Sequence, residues 1–127
     1  MKGFCKSRVW GLLLVVGLAG CGSDGGHKDG DVLRAYRPAG TVQCQDSPPS
    51  IDLQALARPI VEAGFEVKGM ACGVDGRAHL AVCGAPDGRI GIFDLKVPDA
   101  GQAATRLRAM GYALPEDLPD ARTAECR

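Results

Sequence analysis

The chain has 127 residues, 46% of them hydrophobic and 24% charged, which is the composition of a globular protein with room for one domain. Its formal charge is zero, with the 15 basic and 15 acidic residues scattered rather than clustered, so neither a nucleic-acid footprint nor a basic membrane-surface stretch is present. Aromatic residues make up only 5%, and Trp10 is the single tryptophan, so the core must be built from aliphatic side chains with a few Phe and Tyr.

Lys2, Lys6 and Arg8 form a positive start, and Val9 to Ala19 follows without a charge. That run is about half of the ~20 residues a membrane-spanning helix needs, so it reads as a cleaved export signal. Leu18-Ala19-Gly20-Cys21 closes it and resembles the lipobox of bacterial lipoproteins at all four positions. The resemblance implies a signal peptide over 1–20 and acylation of Cys21, with palmitate-type chains anchoring the new N-terminus in a membrane. An ordinary secretory signal cut near Ala19 or Cys21 is the alternative. Gly22 rather than Asp after the acylated cysteine favours, by the sorting habit of that family, the outer membrane facing the periplasm. Removing 1–20 takes away three cations and no acid, which leaves 12 basic against 15 acidic residues, a formal −3.

Residues 21–35 hold the lipidated Cys21 and a Gly-rich, charged stretch with little apolar surface, which predicts a flexible tether before a small domain over 36–127. Thr41 to Gln45 is the first strand candidate. Ser50 is placed to cap a helix whose apolar residues Leu53, Leu56, Ala57, Ile60 and Val61 fall at helical spacing, with Gly64 just past its end. Pro59 inside this helix predicts a kink or a fresh start near Arg58. Phe65 to Ala71 alternates apolar and polar residues, as a half-buried strand does.

Ala85-Pro86-Asp87-Gly88 is a turn that launches Arg89 to Val97, a strand apolar on both faces and therefore central in its sheet. Asp99 caps a second helix, with Gln102 in capping-box position, Ala103, Leu107 and Met110 inward, and Gly111 at its end. Tyr112 to Leu114 offers a last strand, and Pro115 to Arg127 an acidic, Pro-rich coil over the surface. The order β-α-β, loop, β-α-β predicts an α+β domain with the ferredoxin-like split βαβ arrangement, a four-stranded antiparallel sheet with two helices on one face. A further strand over 77–83 would make it a meander instead.

Cys44, Cys72, Cys83 and Cys126 remain in an exported domain, and two disulfides are the default reading. Of the three connectivities, a local Cys72–Cys83 staple with a long Cys44–Cys126 clasp is favoured, provided that 72–83 forms an irregular closed loop. A zinc site from Cys72, His79 and Cys83 does not have finger spacing, and no Cys-x-x-Cys redox motif occurs, so no metal or cofactor is expected.

Cys72-Gly-Val-Asp-Gly-Arg77 and Cys83-Gly-Ala-Pro-Asp-Gly-Arg89 form a near repeat. Asp75, Arg77, Asp87 and Arg89 could make a polar site for an ion or anionic group, but Asp-Gly pairs are first of all turn residues. His79 stands without an evident nucleophile or partner, so no catalytic set assembles and no enzyme is expected. The Cys83 to Gly88 stretch resembles small proteobacterial lipoproteins for which it implies no activity. The βαβ-βαβ layout is similar to the peptidoglycan-binding SPOR domain, although no signature residues match. The expectation is a non-enzymatic envelope module that binds a protein or cell-wall partner, with a small-ligand or metal module using the Asp-Gly-Arg loops as the alternative.

Overall fold

The computed structural model describes residues 30–127, so the expected signal segment, Cys21 and most of the expected tether lie outside the described residues. The elements run β1 (Asp31–Pro38), α1 (Leu53–Glu62), β2 (Glu66–Val74), β3 (Arg89–Val97), α2 (Ala100–Ala109) and β4 (Arg122–Thr123). Every strand pairing is antiparallel and the sheet order is β1-β3-β2-β4, which gives the α+β fold expected.

β3 is central, as its two apolar faces require. Its inward residues Phe93, Leu95 and Val97 pack with Ala57 and Ile60 of α1 and Ala103 and Leu107 of α2, so both helices lie on one face of the sheet. Ile90 and Ile92 point to the opposite face and meet Tyr36 and Leu118. Burying both faces of a strand excludes charged residues from its middle; they stand at its ends, Arg89 at the start and Asp94 and Lys96 on the open half, all half-buried.

Both helices end in the same way, and the sequence pattern carries the reason. Gly64 and Gly111 adopt φ of +89° and +87°, a conformation that costs a side-chain-bearing residue about 1–2 kcal/mol. This turn lets the Phe65 amide donate to the Ile60 carbonyl and the Tyr112 amide to the Leu107 carbonyl, each at 3.0 Å, closing two Schellman motifs. The aromatic residue after each glycine thereby packs on the core. Asp99 caps α2 by accepting from the Gln102 amide at 3.0 Å.

Several expectations are corrected. The first strand is Asp31–Pro38, not Thr41 to Gln45, so residues 31–35 belong to the sheet rather than to a tether. Asp52, not Ser50, caps α1, accepting from the Ala55 amide at 3.0 Å. The helix runs as one element through Pro59, and Val61 is 56% exposed rather than part of the buried stripe. Tyr112 to Leu114 is reduced to a bridge in which Tyr36 and Ala113 exchange two backbone hydrogen bonds of 2.8 Å. That bridge lies beside β1, where a split βαβ fold places its last strand. The strand that completes the sheet, β4, instead joins the β2 edge through Gly73 and Val74. No strand forms over 77–83.

The C-terminal segment after Ala113 explains the difference. It crosses the second sheet face, sealing Ile90 and Ile92 with Leu118, then runs along β2 and donates from Ala124 to the Cys72 carbonyl at 2.9 Å. Asp117 fixes its start by accepting from the Leu114 amide at 2.9 Å and from Arg108 Nε at 3.1 Å. No helix among the described residues is long and apolar enough to cross a membrane.

All four cysteines are in disulfides, but the favoured pairing is overturned: the bonds are Cys44–Cys83 and Cys72–Cys126. β2 continues through Cys72 to Val74, so 72–83 is not one closed loop. In the sheet Cys72 pairs with Gly91 and faces the helices, where the incoming C-terminus meets it. Cys83 lies in the loop beyond, beside Cys44.

Candidate functional site

Two strands end and one begins at the same end of the sheet: β1 ends at Pro38, β2 ends at Val74 and β3 begins at Arg89, where Pro38 pairs with Ile90 and Val74 with Arg89. The loops that follow, 39–50 and 75–88, meet over this end. Gln43 donates to the Ala85 carbonyl at 2.8 Å, Gly84 to the Gln43 carbonyl at 3.3 Å and Asp87 to the Thr41 carbonyl at 3.3 Å. The Cys44–Cys83 bond closes this short ladder on its outer side.

Beneath the ladder lies a cavity of about 320 Å³ with Pro38, Val42, Pro86 and Ile90 as its apolar wall and Asp75, His79 and Asp87 as polar groups. Arg77 and Arg89 also line it. A second hollow, of about 250 Å³, shares Asp75, Arg77, His79 and Asp87 and adds Arg122. The Asp-Gly-Arg repeats are therefore brought together at one end of the sheet. Their groups are used locally, however. Asp75 accepts from the Arg77 amide and Asp87 from the Arg89 amide, each at 3.0 Å, so the two loops make the same side-chain-to-backbone turn.

The arginines of the repeat are equally committed. Arg77 donates to the Asp117 carbonyl at 3.0 Å, and Arg89 donates to the carbonyls of Pro49 at 3.1 Å and Cys126 at 2.9 Å. Both thus pin the C-terminal segment to the sheet end while lining the cavity. Gly88, at φ +81°, has room for no more than hydrogen, since an added Cβ would stand 2.8 Å from the His79 ring.

Two contacts were missed by the sequence reading. His79 is paired, its Nε2 lying 2.8 and 2.9 Å from the two Asp75 carboxylate oxygens, and the i, i+4 spacing of this pair within a non-helical loop gave no cue. Thr41, taken as a strand residue, donates its hydroxyl to Asp87 at 2.8 Å. No group of three or more His, Cys, Asp or Glu side chains gathers in metal-binding geometry among the described residues. Cys72 and Cys83, proposed partners on sequence, are separated into the two different disulfides.

On the open half of the second sheet face, Arg34 of β1 and Asp94 of β3 are directly cross-strand and form a two-pronged pair at 2.7 and 3.0 Å. The hydrogen bond from Arg34 holds the Asp94 carboxyl below its ordinary range. The loop tip at Leu80 and Val82 is exposed, at 75% and 55%. No family model, curated protein or solved structure matches this chain significantly.

Proposed function

We propose that the chain is a lipid-anchored lipoprotein of the bacterial cell envelope, held through Cys21 and facing the periplasm from the outer membrane, with a small non-enzymatic binding or structural domain. The observation that carries this reading is the agreement of address and chemistry: an export signal ending in Leu18-Ala19-Gly20-Cys21 precedes a domain whose four cysteines are all oxidised. Disulfides persist in exported compartments and are reduced in the cytosol of most bacteria. The sheet begins at Asp31, close behind the anchor, so the domain stands near the lipid surface.

The non-enzymatic reading is supported by the commitment of the Asp-Gly-Arg loops to their own backbone, and the partner it implies is a protein or the cell wall. Intact-mass analysis of the protein from a bacterial membrane fraction tests the anchor. A mature chain starting at Cys21 with acyl mass is expected, and Cys21→Ser is expected to abolish both processing and acylation. An unprocessed Met1 terminus in the cytosol would refute it.

One observation favours peptidoglycan as the partner, in the manner of SPOR domains that present a sheet face. The half of the second face bearing Val32, Arg34, Asp94 and Lys96 is left open by the C-terminal segment, which covers only the Ile90 and Ile92 half. Co-sedimentation with purified sacculi, lost on Arg34→Glu, separates this reading from protein binding.

A further inference from the structure

The two disulfides sit in contrasting surroundings. Cys72 is 2% exposed beneath the helix layer, and its partner Cys126 is half-buried. Cys44 and Cys83 are both exposed, each on a loop. Cys44 is also the one residue other than glycine at positive φ among the described residues, at +63°. A residue with a Cβ is held in that region only when its surroundings impose it, and here the crosslink and the flanking Gln43 hydrogen bonds do so.

We infer that Cys44–Cys83 is a thiol-exchange site, open to a dithiol reductant that leaves Cys72–Cys126 intact, and that its reduction loosens the clasp over the sheet-end cavity. In the first step a thiolate of the reductant attacks one sulfur of the pair. The Sγ–Sγ bond breaks, a mixed disulfide forms, and the departing sulfur leaves as a thiolate that takes up a proton. The reductant's second thiol then displaces the protein from the mixed disulfide. The reductant ends oxidised to its own disulfide by two electrons, and the protein ends with free thiols at Cys44 and Cys83.

Access to sulfur and relief of an imposed conformation both favour exchange at this pair, whereas Cys72 is shielded. Once the bond opens, the two loops over the cavity are joined by the short ladder of Gln43, Gly84 and Asp87 amides and the Thr41 to Asp87 contact, with Ala39 and Pro49 held to Arg89 at the strand end. Those residues are half-buried or exposed, so water competes for each of their hydrogen bonds. Closure of the cavity is thereby made dependent on the thiol poise of the compartment.

The test uses the oxidised chain with both disulfides, exposed to graded dithiothreitol, alkylated, and mapped by peptide mass spectrometry. Cys44 and Cys83 are expected to be alkylated at a dithiothreitol concentration about tenfold or more below that needed for Cys72 and Cys126, equivalent to a potential difference of about 30 mV. Simultaneous opening, or opening of Cys72–Cys126 first, overturns the inference. Hydrogen exchange on the selectively reduced form is the second arm. Faster exchange at Gln43, Gly84 and Asp87 with unchanged protection at Ile92 and Leu95 is expected, and unchanged exchange at the first three overturns the link to the cavity.

Discussion

Leu118 tests whether the C-terminal segment is a packed lid or a coil lying loosely on the surface. It is 6% exposed and seals Tyr36, Ile90 and Ile92 on the face away from the helices. Leu118→Ala removes three carbons, which at ~0.8 kcal/mol per buried methylene is about 2.4 kcal/mol of transfer free energy. A cavity contribution adds to this, but a lid made of a single segment can settle onto the sheet, which places the total at the low end of the Leu→Ala range, about 2.5–3 kcal/mol. Leu107→Ala is the contrast: this side chain is fully buried between α2 and the sheet, where neither layer can collapse, and about 4 kcal/mol is expected. Urea unfolding of the oxidised protein at constant m-value reads both. A loss below about 1 kcal/mol for Leu118→Ala, beside the full loss for Leu107→Ala, would refute the lid and leave the whole second face open.

Two further outcomes follow from single contacts. A Cβ at Gly91 would stand 2.9 Å from Phe93 Cζ and 3.0 Å from Leu56 Cδ1, so Gly91→Ala must displace the packed Phe93 ring and the Leu56 side chain of α1 and is expected to cost about 1–3 kcal/mol by the same unfolding measurement. The Arg34–Asp94 pair makes stability pH-dependent: Asp94 titrates lower in the fold than when unfolded, so the stabilisation is present above its ordinary value of 3.8 and is lost as pH falls through the depressed one. With side chains 47% and 33% exposed, the pair is worth only about 0.2–1 kcal/mol. The advantage of the wild type over Arg34→Gln should therefore be small at neutral pH and vanish once Asp94 is protonated in the fold as well, well below its ordinary range; an advantage that persisted there would assign it to packing of the arginine stem.

Whether a feature could be read from the sequence depended on how local its cause was. The two Schellman ends were visible because Ala63-Gly64-Phe65 and Met110-Gly111-Tyr112 each contain the glycine and the following aromatic that the motif needs, and the Asp99 cap lies within three residues of the amide it serves. β3 was visible because apolar residues on both faces leave little alternative to a central strand. β1 was hidden for the opposite reason. Leu33 and Ala35 supply a buried alternation, but Arg34 and Arg37 and the Gly-rich residues before them resemble a solvated stretch, and only pairing with β3 selects the strand. Tertiary context overrode local composition there.

The disulfides illustrate the same division at longer range. Nearness in sequence favoured Cys72–Cys83, yet the side chain of Cys72 is directed by its strand register, which puts it on the helix side opposite Gly91. Its partner is then whichever cysteine the C-terminal segment delivers to that side. The resulting bonds are crossed, 44 with 83 and 72 with 126, with separations of 39 and 54 residues. Loop-closure entropy alone assigns each about 4 kcal/mol in isolation, so chain length does not distinguish them. Their difference must come from the native surroundings: one crosslink fastens the lid at the helix layer, and the other fastens two exposed loops above a cavity. That contrast is what the inferred selective exchange at Cys44–Cys83 rests on.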